Sequence, residues 1–163
     1  MNKGVRRITF TGLMIALSAI FANIPIPGFP TLAFDAIPGY LVAILINPVS
    51  GGIIALFGHL VTALIHGAPL GIPSHIIIAL SMFISAYALG LIFKKDKIYR
   101  IVIAVIIATL LNTYLSFPFL IFLLRVPAAY ILPLQIPLII ASLVNICVAI
   151  FIYFPLHSIR IDL

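Results

Sequence analysis

Three histidines, one carboxylate and a handful of amides and hydroxyls stand inside otherwise apolar sequence, and they are the groups with which this chain could do chemistry. His59 and His66 are seven residues apart and so share one face of a helix. His75 follows nine residues later, across a short Gly/Pro segment. Imidazoles placed this way could ligate a divalent metal or hydrogen-bond an organic guest. No carboxylate or thiolate lies nearby in sequence to complete a metal set, so no metal is expected, and His66 and His75 stand as ligand contacts. Asp35, in Phe34-Asp35-Ala36-Ile37-Pro38, has the plainer reading of a helix N-cap, which does not exclude contact with a ligand. Thr109, Asn112 and Tyr114 form one polar set, Ser142 and Asn145 another, and Arg125, Tyr130 and Gln135 could close over both. A buried amide needs several partners. Two readings stay open for these sets: helix–helix hydrogen bonds, each worth about 1 kcal/mol, or the lining of a small-molecule cavity. No nucleophile–base spacing stands out, so no enzyme activity and no cofactor are expected.

The elements that position these groups follow from composition. Hydrophobic residues make up 64% of the 163 and charged residues only 7%, against roughly a quarter charged in a soluble domain. The outside of the fold must therefore face lipid. The apolar residues fall into long runs separated by Pro/Gly-rich or charged breaks, the pattern of successive spanning helices of about 20 residues. A membrane β-barrel would alternate apolar and polar residues over segments of about 10 residues. The fold expected is an all-α integral membrane protein with six transmembrane helices, at about 8–24, 36–46, 52–66, 75–93, 101–117 and 138–154, forming one domain over 1–163. The second run is too short to cross upright unless its neighbours shield it. Residues 25–35 are expected as an ordered external loop, Asn47-Pro48 with Gly51-Gly52 as a tight turn, Ser74 as the N-cap of the fourth span, and 118–137 as an external loop or re-entrant cap.

A net charge of +6 could hint at nucleic acid, but the positions of the charges explain it better. Eight of the nine Lys and Arg fall at Lys3, Arg6 and Arg7, at Lys94, Lys95, Lys97 and Arg100, and at Arg160. With four spans between the first two groups and two between the last, all three groups lie on one side, which the positive-inside rule makes cytoplasmic. Both termini are then cytoplasmic in a multi-pass protein of the cell membrane, with the lipid bilayer and no nucleic acid as partner. The basic start followed by an apolar run also mimics a signal peptide, but the later spans favour a first spanning helix. Cys147 lies in an apolar run and has no internal partner. No Gly-x-x-x-x-Gly-Lys-Ser/Thr loop is present, so energy for active transport would have to come from a gradient or from a partner. A stand-alone secondary transporter is the alternative to a partner-driven one. Gly12, Ala16 and Ala19 form a small-residue stripe that permits close helix approach, either within the fold or to another membrane subunit.

The basic N-terminus, the small-residue first helix, Ile24-Pro25-Ile26-Pro27, Phe34-Asp35-Ala36-Ile37-Pro38, Asn47-Pro48-Val49-Ser50-Gly51-Gly52 and Gly58-His59-Leu60 together resemble the substrate-binding S components of energy-coupling factor (ECF) transporters. The resemblance spans nearly the whole chain and is strongest over 8–93. It implies six helices, a vitamin-type ligand taken from outside, and partners consisting of a transmembrane coupling subunit and two ATPase subunits. It also implies that Gly12, Ala16 and Ala19 dock the coupling subunit, and that the ligand is held by residues of helices four to six and the external loops. The candidate contacts are Asp35, His66, His75, Asn112, Tyr114, Arg125, Tyr130, Ser142 and Asn145. Residues 34–80, with Leu70-Gly71-Ile72-Pro73-Ser74-His75, look most like S components for α-ribazole, a cobalamin precursor. A site with imidazoles, amides and aromatics but little charge suits such a neutral heteroaromatic nucleoside. The nickel and cobalt members carry histidine directly after the first Met, where this chain has Asn2.

Overall fold

In lipid, a backbone amide has no water to bond, so an apolar run closes its hydrogen bonds within itself as a helix. The computed structural model describes residues 2–26 and 29–158; Pro27, Gly28 and Arg160 lie outside them. Six helices of nine residues or more are present: α1 (Lys3–Phe21), α2 (Ile37–Leu45), α3 (Pro48–Ile65), α4 (Ile72–Ile92), α5 (Ile98–Tyr114) and α7 (Gln135–Leu156), with a short α6 (Ala128–Ile131) before the last. Among the described residues, five helical segments are long and apolar enough to cross a membrane: 4–21, 48–65, 72–92, 98–123 and 128–156. The chain is a multi-pass membrane protein.

The remaining helix, α2, has nine residues, about 14 Å at 1.5 Å per residue, half of a hydrocarbon core of about 30 Å. It survives at that length because it is the inner element. Tyr40 and Val42 are 1% exposed, and α1, α3, α4 and α7 all pack on it.

Glycines make that packing possible. A Cβ at Gly39 would stand 2.7 Å from the Ala55 methyl, and one at Gly90 would stand 2.5 Å from the Ala43 carbonyl oxygen. Gly51 faces Ala43 with no more room. Gly51 and Gly52 therefore belong to α3, not to the expected turn. The turn is made by Asn47, whose side chain accepts from the Ser50 amide at 2.8 Å and caps α3, with Pro48 filling the first helical position.

Four further expectations are corrected or refined. Ser74 does not cap α4. Gly71, at φ +79°, makes the entry turn, Pro73 sets the first helical turn, and Ser74 faces inward and is buried. Asp35 does not cap α2 either: Ala36 holds that position without a side-chain bond, and the carboxylate is drawn elsewhere. The 25–35 loop contains a two-stranded antiparallel ribbon, β1 (Pro25–Ile26) and β2 (Phe29–Ala33). The 118–137 stretch is helical throughout much of its length, with a π-helical turn at Phe119–Leu123, a bend at Arg125 (φ +55°), α6 and a 3₁₀ turn leading into α7. It closes a small core of Phe117, Leu120 and Ile131.

The helices alternate in direction, which sorts the connections between two ends. One end carries Arg6, Arg7 and the Lys94–Arg100 connection, where the Arg100 Nε–H donates to the Ile92 carbonyl at 2.9 Å and satisfies the C-terminus of α4. Phe93 and Tyr153 meet edge-to-face there at 5.0 Å. The opposite end carries the ribbon, the α3–α4 turn and the 115–134 segment, and is referred to as the loop end.

Candidate functional site

Several buried polar groups of the fold meet the segment Ala33–Tyr40. At its start, the Asn145 amide of α7 donates to the Ala33 carbonyl at 3.0 Å and to Ala141 O at 2.8 Å. Two residues on, Asp35 Oδ2 stands 3.6 Å from Nδ1 of His59 on α3. His59 Nε2 in turn lies 3.1 Å from Nδ1 of His75 on α4. At its far end, Tyr40 and Ser85 Oγ are 2.9 Å apart, and Ser85 donates to the Ala108 carbonyl of α5 at 2.7 Å. That commitment of the Ser85 proton makes Tyr40 the donor to Ser85. Ser142 reaches the same tyrosine from α7, but its Oγ completes no hydrogen bond. One eight-residue segment thus touches polar groups of α3, α4 and α7, and through Ser85 it reaches α5.

These residues are deeply placed. Ser142 is 2% exposed, Asn145 3% and His75 8%. Several of their atoms have no partner: His75 Nε2, Asn145 Oδ1, Asn112 Oδ1, and the hydroxyls of Ser18, Thr109, Thr113 and Ser142. The hydroxyls are inexpensive, since a helical Ser or Thr can turn to its own backbone. An amide oxygen or a bare imidazole nitrogen has no such recourse, and leaving one buried and unpaired costs about 1–3 kcal/mol.

The expected contacts divide accordingly. Asp35, His75, Ser142 and Asn145 are brought together by the Ala33–Tyr40 segment. Asn112 lies one turn beyond Ala108 and Thr109 on α5 with its Oδ1 free. His66 is exposed at the end of α3, its Nδ1 engaged with Thr62 O at 2.9 Å. Tyr114 packs edge-to-face on Phe117 at 5.8 Å, and Arg125 and Tyr130 are exposed at the loop end. His59, not His66, is the histidine that meets His75. Its seven-residue spacing from His66 was visible in the sequence, but which of the two faced α4 was not. Tyr40 and Ser85 are visible in the sequence as polar residues in apolar runs, but nothing in their spacing of 45 residues signals that they pair. Among the described residues, no group of three His, Cys, Asp or Glu is placed to hold a metal ion.

Two other surfaces stand out. The stripe on α1 points outward: Gly12 and Ala16 are exposed, and a Cβ added to Gly12 would meet nothing within 4 Å. Among the described α1 side chains only Ser18, later on the same helix, is buried, against Gly58 of α3. An apolar groove of about 310 Å³ lies between α1, α2 and α7, lined by Phe21, Ile24, Phe34, Ile37, Val148 and Ile152. It offers no polar group and so cannot orient a polar solute.

A family model described as "ECF transporter, substrate-specific component" matches residues 6–157. No curated protein matches the chain.

Proposed function

The chain belongs to the ECF transporter substrate-specific component family, and from that premise we propose that it is the membrane-embedded subunit that captures a vitamin-type solute from outside the cell. It hands the solute on with a transmembrane coupling subunit and two ATPases, which supply the energy that this chain has no nucleotide loop to obtain. The family match over residues 6–157 carries the reading, and the family is a transporter component, not an enzyme class.

The polar, partner-poor ring along Ala33–Tyr40 supports a binding site at the loop end, with Asp35, His75, Ser142 and Asn145 in it and Asn112 beside it. His66, Tyr114, Arg125 and Tyr130 then act as outer contacts, met when the guest enters. The basic end is cytoplasmic and the loop end external, with both termini on the cytoplasmic side and α2 serving as the sixth crossing inside a sheath of longer helices. The outward small-residue stripe at Gly12, Ala16 and Ala19 docks the coupling subunit in the cell membrane. The best candidate solute is α-ribazole: a neutral nucleoside fits a site that offers amides, hydroxyls and imidazoles and has Asp35 as its one carboxylate.

Calorimetric titration of the purified protein with α-ribazole, together with mass spectrometry of whatever copurifies, tests this. Saturable binding at one site per chain is expected. A stoichiometric copurifying compound of another class, with no α-ribazole binding, would replace the solute and leave the family role standing.

A further inference from the structure

The chain Asp35–His59–His75 has a direction, and the direction decides what the site can recognise. Each neutral imidazole carries one N–H and one bare nitrogen. His59 and His75 share a single proton between Nε2 and Nδ1 across 3.1 Å, so two arrangements exist. In one, His59 holds its proton on Nδ1 and accepts from His75 Nδ1–H, which leaves His75 Nε2 bare. In the other, His59 donates from Nε2, which leaves its own Nδ1 lone pair pointing at a carboxylate and puts a proton on His75 Nε2. Asp35 Oδ2 lies 3.6 Å from that Nδ1, both side chains being largely enclosed at 13% and 15% exposure. That distance is long for a direct bond, yet short enough for the negative charge to favour N–H over a lone pair, directly or through a bridging water. The first arrangement wins.

Resting on the transporter reading above, we infer that Asp35 and His59 are positioning residues that hold His75 as a hydrogen-bond acceptor. His75 Nε2 and Asn145 Oδ1, each buried without a donor, are then two acceptors open to a guest that brings N–H or O–H donors. Asn145 agrees with this sense, because both of its amide hydrogens are committed to Ala33 O and Ala141 O and only its oxygen remains. Both acceptors are buried and lack a donor within the protein. The class recognised is a neutral solute with at least two donor groups, such as ribose hydroxyls or a ring amine. A compound offering only acceptors at those positions is rejected, since buried lone pairs would face one another.

Nitrogen-15 NMR of the histidine-labelled protein in lipid nanodiscs, at a pH of about 8 where ordinary imidazoles are neutral, reads the proton positions directly. His75 is expected with Nδ1 protonated and Nε2 bare. Asp35→Asn should move proton density toward His75 Nε2, whereas Asp35→Glu should restore the original form. His75 carrying its proton on Nε2 in the unaltered protein, or an unchanged tautomer in Asp35→Asn, overturns the inference. In parallel, Asp35→Asn and His59→Phe should weaken α-ribazole binding by about tenfold or more, with recovery in Asp35→Glu. If the unaltered protein binds no α-ribazole while the tautomers behave as described, it is the solute assignment that fails and not the relay.

Discussion

At the scale of single residues, Asn145 combines two roles that a substitution separates. Its amide nitrogen ties α7 to the Ala33 carbonyl at 3.0 Å, and its oxygen is free within the protein. Asn145→Ala should therefore lower thermal stability and weaken solute binding, the latter by about 1–3 kcal/mol if the oxygen meets a donor on a buried guest. Isothermal titration beside a melting curve checks both, and an unchanged affinity with a lowered melting temperature would restrict Asn145 to the helix–ribbon contact. Tyr40 makes a cleaner case. Its hydroxyl donates to Ser85 in the interior, so Tyr40→Phe should cost about 0.5–1.5 kcal/mol of stability, measured by denaturation without solute. The presence of buried polar groups was legible from sequence, since each is conspicuous in an apolar run. Their pairing was not. Asp35 read as an N-cap because its spacing to Ile37 allowed it, and only the approach of His59, distant in sequence, showed where the carboxylate goes.

Among the elements, α1 and α4 use small residues for opposite purposes. At Gly90 a side chain would strike the Ala43 carbonyl, whereas at Gly12 it would enter open space. Gly90→Leu should destabilise the protein by about 1–3 kcal/mol through overpacking of a backbone that cannot move aside. Gly12→Leu should leave the melting temperature unchanged. If the α1 stripe docks the coupling subunit, Ala16→Phe should abolish uptake in cells carrying the full transporter while solute binding by the isolated protein persists. Loss of binding in that variant would mean that the face serves the fold. The difference between the two helices could not be read from spacing, because small-x-x-x-small patterns look alike whether the opposing surface is the same chain or another. The long apolar runs overlap the long helices, but the ends differ, as at the start of α1 (Lys3, against an expected 8) and where Pro48 and Gly71 set the entries to α3 and α4.

For the molecule as a whole, the separation of a basic end from a loop end predicts a sided labelling pattern. In a Cys147→Ala background, a cysteine at Pro69 in the α3–α4 turn should react with a membrane-impermeant thiol reagent on intact cells. One at Lys95 should react only after the membrane is opened. Reaction at Lys95 in intact cells would invert the topology and move the binding site to the cytoplasmic face.

Solvent and helical class were written in the chain itself: 64% hydrophobic and 7% charged residues leave lipid as the only medium, and lipid obliges long apolar runs to be helices. Those constraints are local, set by hydropathy and backbone bonding over about 20 residues. The nine-residue α2 could be recognised as short, but that it is the enclosed centre of the bundle depended on the arrangement of α1, α3, α4 and α7 around it. So did the choice of His59 over His66 and the meeting of Asn145 with Ala33, 112 residues away in sequence. A hydrogen bond is decided by ångströms and angles between side chains, and those are fixed only when helices from distant parts of the chain have packed.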